Sequence, residues 1–553
     1  MKKILLSIAF ALVGIASGFA AKAYSGIITV TQSDGTELNV RMYGDEHFNW
    51  LTTEDGVLLV QEGNNYYIAE TTSYGTLKAT KFIAHNANKR VSAEIKAIKK
   101  QNHSRFRSYA IEQASTAKAM GTGNNGVKYF PHSGSPKALV ILVEFSDTTF
   151  RSGEKAKNVF EHFLKGKAED ALPDGYEAYT GSYKNKNLLR NKGSVSDYFY
   201  DMSKGTYTPQ FDVVGPYKLN HSSLYYGQGK KDNTYALVSD ACKAADKDVD
   251  FSRYDADGDG MVDLVYIIYA GYPASMSGNP NDIWPKSGPG DGSFGTYDGK
   301  QVCRYGVHAE LNFGWALNKK NGFLLSGIGL FCHEFSHTLG LPDLYPTVDA
   351  SKVDNQNPEM WDLMDGGEYT YNGGYCPTPY SPWELDVMGW TSPVELGDKA
   401  KQVTLNSYYK ERTAYKINGE NDEYLLIQNI QKGGWWNGIA NGYNTGMLIW
   451  RIDYGTKDVN LFDNPNNTLG KPKVMIVPAD GYVISDYNHG DGKQWTDAEY
   501  KASLQADPFP GATNKTELLS VELNNSTLKK PFYNIKETDG VITFDYLKDF
   551  ATG

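Results

Sequence analysis

His333-Glu334-Phe335-Ser336-His337-Thr338-Leu339-Gly340-Leu341-Pro342-Asp343 is the stretch that decides how this chain is read. Two histidines four apart on a helix share one face, so His333 and His337 can both bind one Zn²⁺. Glu334 between them is placed to act as general base for an activated water. Just outside the motif, Ile328, Phe331, Cys332, Phe335 and Leu339 recur at helical spacing and predict a helix that buries one side in a core. Gly340 fits the position just past its C-terminus, where a left-handed backbone turns the chain without a Cβ clash. The bend lets Asp343 return to the same metal. Two imidazoles and a carboxylate leave the fourth position for water, the composition of a hydrolytic zinc site. His-Glu-x-x-His alone also occurs by chance on amphipathic helices. The helix-ending glycine, the acidic residue after it, and Met364 in Trp361-Asp362-Leu363-Met364-Asp365-Gly366-Gly367 are three further matches that favour the chemical reading.

These residues together resemble the metzincin clan of zinc peptidases, whose extended motif is followed by a methionine-containing turn beneath the metal. The context Leu339-Gly340-Leu341-Pro342-Asp343-Leu344-Tyr345 is similar to the immune inhibitor A-type secreted metallopeptidases of bacteria, which use an aspartate where most of the clan has a third histidine. The resemblance implies His333, His337 and Asp343 as zinc ligands, Glu334 as general base and Met364 as the turn methionine. It also implies protein or peptide substrates, and a propeptide that an activating protease removes. Tyr369 is a candidate hydrogen-bond donor to the oxyanion, with an ordinary packed tyrosine as the plainer reading. Glu359 or Glu384 on a second helix is the alternative third ligand. A catalytically inactive adhesion or glycan-binding protein on the same fold is the alternative function.

The chain opens with Met1-Lys2-Lys3, an apolar run from Ile4 to Ala20, and the small-x-small site Ala21-Lys22-Ala23. That is the pattern of a secretory signal peptide over residues 1–23, with the exported chain starting near Tyr24 and released to the periplasm or medium. No cysteine follows the signal to take a lipid, and no later stretch is long and apolar enough to span a bilayer. A net charge of −10 offers no electrostatic footprint for nucleic acid or an anionic membrane. A soluble monomer is expected. Cys242, Cys303, Cys332 and Cys376 allow either two disulfides or buried thiols.

At 553 residues the chain exceeds one hydrophobic core, and three or four domains are expected. Residues 24–110 begin as short strands broken at Asp34-Gly35, Asp55-Gly56, Asn64-Asn65 and Tyr74-Gly75, and read as a small β-rich propeptide. Lys89, Arg90, Lys96, Lys99, Lys100, Arg105 and Arg107 then form a basic stretch, either a protease-accessible tether or a solvated helix face. A linker at 111–126 follows. The propeptide holds no cysteine, so Asp45, Glu46 and His47 are the candidates for blocking the metal.

Residues 127–395 read as an α+β catalytic domain with a mixed sheet. Its central strand is Lys137 to Phe145, apolar on both faces. Ser194-Val195-Ser196-Asp197 can cap a following helix at Tyr198-Phe199-Tyr200, and Tyr235 to Asp246 reads as another. Residues 396–553 lose helical periodicity and read as an antiparallel β-sandwich with a hairpin at Asp539-Gly540. Trp435 and Trp436 serve there either as exposed binding aromatics or as packing against the catalytic domain.

Asp255-Ala256-Asp257-Gly258-Asp259-Gly260-Met261-Val262-Asp263 matches the first nine positions of a calcium loop, with Asp255, Asp257, Asp259, the Met261 carbonyl and Asp263 as candidate Ca²⁺ ligands. Tyr266 stands where the closing glutamate would be, and an apolar strand follows, so an EF-hand pair is excluded.

Overall fold

The computed structural model describes residues 19–45, 48–110, 129–179, 190–227, 233–279, 281–290, 292–312, 323–347, 356–455, 464–484 and 495–551. Its centre is a six-stranded mixed sheet. The strands are β1 (Phe19–Ala20), β8 (Lys137–Glu144), β9 (Gln210–Lys218), β10 (Val265–Tyr269), β11 (Lys286–Pro289) and β12 (Arg304–Ala309), in the order β1-β11-β12-β10-β8-β9. Strands β12, β10, β8 and β9 run parallel, whereas β11 is antiparallel to β12 and to β1. Alternate residues of β8 feed opposite cores: Ala138, Val140 and Leu142 on one side, Leu139, Ile141 and Val143 on the other. Burial on both faces is why this strand has no polar alternation. It lies one place in from the edge and not at the centre, because β9 adds outside it.

Helix α3 (Thr234–Ala245) covers one face through Leu237, Val238 and Ala241, and α4 (Ile328–Thr338) covers the other. Phe331 stacks on Tyr266 of β10 with ring centroids 4.1 Å apart, and Phe335 packs on Phe199 of α2 (Val195–Met202) at 5.1 Å. Each such buried ring contributes about 2 kcal/mol of transfer free energy, which seats α4 firmly on the sheet. Helix α2 begins at Ser194, whose side chain accepts from the Asp197 amide.

Before this domain, six antiparallel strands from β2 (Ile28–Thr31) to β7 (Leu77–Ile83) form a meander with turns at the expected glycines. The basic stretch is not an unstructured tether where it is described: α1 (Ser92–Ile98) and a second helical segment at 103–110 pack on the meander, with Phe106 buried. Arg90 is bound by both carboxylate oxygens of Asp55. Its apolar residues, few but correctly spaced, outweigh the charge. The linker at 111–126 lies outside the described residues.

After Trp390 come a five-stranded sheet from Val394 to Ile476 and a three-stranded sheet of Lys401–Leu405, Phe532–Thr538 and Val541–Tyr546, whose apolar residues share one cluster. The larger sheet is antiparallel except at its edge, where Val394–Glu395 runs parallel to Tyr415–Asn418. Asp539 and Gly540 both have positive φ, as a two-residue hairpin turn of this hand requires. Helices do occur here, at Trp436–Tyr443 and Asp497–Gln505. Trp435 and Trp436 are buried, and Trp435 lies edge-on to Tyr198 of α2 with its Nε1 donating to Asp201. They are buried and pack the region against α2 of the mixed-sheet domain. Among the described residues no disulfide joins the four cysteines, and no helix is long and apolar enough to cross a membrane.

Glu310, just after β12, shows how loops at this end of the sheet are tied. Its buried carboxyl accepts from the Tyr179 hydroxyl at 2.6 Å, the Arg151 amide at 2.6 Å and the Gly271 amide at 3.1 Å. Burial pushes this carboxyl up to about 7, from 4.5, against those hydrogen bonds. The folded state therefore holds the proton more tightly than the unfolded one. Stability linked to it is complete below pH 4.5 and is lost as pH rises through 7, by about 3 kcal/mol. Thermal melts of Glu310→Gln are expected to lose this downward slope between those pH values; an unchanged slope would assign it elsewhere.

Candidate metal centre

Helix α4 carries His333, Glu334 and His337, and the chain leaves it through Gly340, whose φ is +104°. A Cβ there would also meet the Tyr129 ring at 3.0 Å, so both conformation and space call for glycine. The turn brings Asp343 back under the helix. His333 Nε2 and His337 Nε2 are 3.2 Å apart, and Asp343 Oδ1 lies 3.3 and 3.2 Å from them. All three residues are buried.

This triangle has the dimensions of one face of a zinc tetrahedron, since bonds of about 2.0–2.1 Å at tetrahedral angles place ligand atoms about 3.3 Å apart. The tautomers agree. His333 Nδ1 donates to the Leu363 carbonyl at 2.9 Å and His337 Nδ1 to the Leu341 carbonyl at 2.8 Å, so both Nε2 lone pairs face the carboxylate oxygen. Three electron pairs converging in a buried space repel one another, and a cation is what such a donor set fits.

The helix is buried on every side, not on one face as its apolar spacing predicts. The additional cover comes from the methionine turn and from the N-terminal segment. Met364 is buried in a turn held by Asp362 Oδ1 on its amide, and its own carbonyl accepts from Leu344. Leu363 of the same turn supplies the carbonyl that orients His333. Asp362 is backed by Glu384 of helix α5 (Pro382–Val387), and burial raises both carboxyls, Asp362 to about 7. Glu384 also caps its own helix through Ser381, and Glu359 faces Lys22, Asn357 and Tyr500, so neither belongs to the histidine–aspartate group.

Glu334 Oε1 accepts from the Ala21 amide at 2.7 Å. Complete burial pushes its carboxyl up to about 8, despite the opposing pull of His337. Strand β1 extends the sheet edge beside it, pairing Phe19 with Ser287 and Ala20 with Lys286. The segment continues through the cleft: Trp284 Nε1 donates to the Ala21 carbonyl at 2.8 Å, the Tyr369 hydroxyl to the Lys22 carbonyl at 2.7 Å, and Lys22 Nζ reaches Glu359 and Asp365. Tyr369 is thus placed on the N-terminal segment. Asp45 is buried in its own turn, accepting from the Phe48 amide, while Glu46 and His47 lie outside the described residues. The residue that reaches Glu334 is Ala21.

Sequence reading missed Lys22, Asp365 and Glu368. Glu368 is fully buried, 3.7 Å from His333 Nδ1, and its carboxyl oxygens have no hydrogen-bond partner. Burial and the charges of Glu334, Asp343 and Asp365 push it well above the usual carboxyl range. The only sequence signal was a run of acidic residues, Glu359, Asp362, Asp365 and Glu368, interleaved with apolar ones and glycines.

Asp255, Asp257 and Asp259 gather their carboxylates, but Lys300 Nζ bonds Asp255 at 2.6 Å and loop amides bond Asp255, Asp257 and Asp263. Met261 begins a short strand directly after them. A cavity in the C-terminal region around Met475 and Tyr482 touches none of the metal-centre residues.

Residues 129–391, which carry this candidate metal centre and the mixed sheet, match the immune inhibitor A peptidase M6 catalytic domain. The match to this family is confined to that segment.

The chain is 26% identical over 308 residues to immune inhibitor A of Bacillus thuringiensis subsp. alesti, an alignment covering 47% of this chain and 41% of that protein. It is 23% identical over 286 residues to the pre-pro-metalloprotease PrtV of Vibrio cholerae serotype O1, covering 46% and 29%. The matched part is thus less than half of each relative.

Proposed function

We propose that this protein is an exported zinc endopeptidase. The observation that carries the reading is the 3.2–3.3 Å triangle of His333, His337 and Asp343 with Glu334 one residue away on the same helix. In this reading His333, His337 and Asp343 hold Zn²⁺. Zinc, when bound, lowers the pKa of water and polarises the scissile carbonyl. Glu334 takes the proton from the attacking water and returns it to the leaving amine, a task suited to a carboxylate one residue from a metal-ligating histidine on the same helix. Met364 and Leu363 keep His333 in place from below. The C-terminal region is a β-sandwich that supports the catalytic domain.

The protein is made latent. Residues 21–23 lie buried across the cleft with the Ala21 amide on Glu334, which supports occlusion by the N-terminal segment and by the meander that seals it. Signal cleavage after Ala23 would discard those residues. Gly18-Phe19-Ala20 satisfies the small-x-small pattern equally well and would keep them. The exported protein is expected to start at Ala21 by N-terminal sequencing and to leave casein intact until trypsin nicks it, after which cleavage needs zinc. Equal casein turnover before and after nicking removes the latency reading, and none under either condition removes the peptidase reading.

The aspartate loop is read as a structural Ca²⁺ site, supported by the spacing of its carboxylates and by burial and mutual repulsion that raise Asp263. Calcium is expected to raise the Tm of zinc-loaded protein by several degrees; a melt indifferent to calcium would leave Lys300 as the loop's counter-ion.

A further inference from the structure

We propose that Glu359 and Asp365 form a subsite for a basic side chain, so that the cleft favours substrates with lysine, and next arginine, at the second residue after the cleaved bond. This rests on the peptidase reading of the same cleft.

The N-terminal segment lies as a substrate would. In the unprocessed chain Phe19 and Ala20, just ahead of Ala21, add to the edge of β11 in antiparallel register, the mode in which an extended peptide takes main-chain hydrogen bonds from a sheet and specificity from pockets for its side chains. For a peptide on the same path, the amide nitrogen beside Glu334 is the one that receives the returned proton and leaves. Ala21 occupies that position, at 2.7 Å, so Lys22 corresponds to the second residue of the leaving fragment. The carbonyls of both are held, by Trp284 and Tyr369.

The Lys22 side chain is 2% exposed, with Nζ 3.1 Å from Glu359 Oε2 and 3.0 Å from Asp365 Oδ1. The pocket is built by groups other than Lys22. The Glu359 amide donates to Asp365 Oδ2 at 2.7 Å, Asn357 Nδ2 donates to Glu359 Oε1 at 2.6 Å, and the Tyr500 hydroxyl to Glu359 Oε2 at 2.8 Å. Glu359 takes a left-handed backbone conformation, φ +51°, to enter this arrangement. Two nearly inaccessible carboxylates are thus fixed around an ammonium, with the unpartnered Glu368 nearby. Once the segment is displaced they face the cleft with the place of the Lys22 ammonium open to another cation. Removing one partner of a buried ion pair is strongly unfavourable, so a substrate that brings a cation is selected over one that does not. A neutral side chain forgoes the two ion pairs that Lys22 makes, and an acidic one adds negative charge beside them.

The test uses the full chain nicked with trypsin, treated with a serine-peptidase inhibitor and loaded with zinc. A peptide series varying only the second residue after the cleaved bond is expected to show kcat/KM about 30-fold higher for lysine than alanine, as a buried charged hydrogen bond implies, with glutamate lowest. In the Glu359→Gln/Asp365→Asn variant the lysine-to-alanine ratio is expected to collapse toward one. Binding of the peptides Ala-Lys-Ala-Tyr and Ala-Ala-Ala-Tyr, measured by calorimetry, gives a readout independent of turnover. Cleavage that ignores lysine, or a preference that survives the double variant, overturns the subsite and leaves the peptidase reading standing. Tight, lysine-dependent binding without any cleavage overturns the peptidase reading and leaves the subsite standing.

Discussion

Glu334→Gln is expected to lower the rate of peptide-bond hydrolysis by a factor on the order of 10⁴, the upper range for loss of a general base, with zinc content unchanged. The glutamine keeps the shape of the side chain and an oxygen for the hydrogen bond that Ala21 makes at 2.7 Å, so the nicked protein should fold and bind peptides as before. What it lacks is the capacity to accept a proton and hand it on. Because Glu334 is fully buried and its carboxyl is raised by that burial, replacing it with a neutral group should not lower the Tm. Steady-state cleavage of casein, with metal content measured on the same samples, checks this. A variant within tenfold of wild type would mean another group moves the proton. A wild-type protein with no activity to lose would favour the adhesion reading.

The second large effect is expected from Asp343→Ala. It removes the only carboxylate whose oxygen lies within 3.3 Å of both Nε2 atoms among the described residues, leaving two imidazoles to hold the metal. Loss of a charged ligand should weaken zinc binding by more than the roughly 10–100-fold seen for changes around a ligand set, measurable by competition with a chromophoric chelator. Glu359→Gln and Glu384→Gln are the controls. Glu359 is committed to Lys22, Asn357 and Tyr500, and Glu384 to Ser381 and Asp362, so both variants should keep full zinc. Metal retained by Asp343→Ala and lost by either control would reassign the third position.

These predictions differ in where they were legible. The metal centre depends on a helical period and a short bend, interactions that operate within about ten residues. The spacing from His333 to Asp343 and the need for a left-handed Gly340 could therefore be read from the chain. The turn methionine was legible because Met364 follows within one more loop, although its support from Asp362 and Glu384 was not. The hairpin at Asp539-Gly540 and the cap at Ser194 belong to the same short-range class. The tryptophans at 435 and 436 were ambiguous, since an aromatic in a turn-rich segment has the same local signature whether it packs or binds. Their burial depends on α2, more than 230 residues earlier in the chain. The basic stretch was ambiguous for a similar reason: its charges suggested a tether, and only the meander beneath Phe106 makes the helical arrangement pay off in buried area.

Local rules of period, turn and capping thus determined the donor set, its order along α4 and the strand pattern that places a sheet behind it. The tertiary structure decided what surrounds that set, because Ala21, Lys22, Glu359 and Asp365 are brought together across more than 300 residues by packing that no local pattern encodes. Burial then turned neighbours into interactions: with water excluded, one ammonium is held between two carboxylates, and the Glu334 carboxyl is raised against the opposing pull of His337.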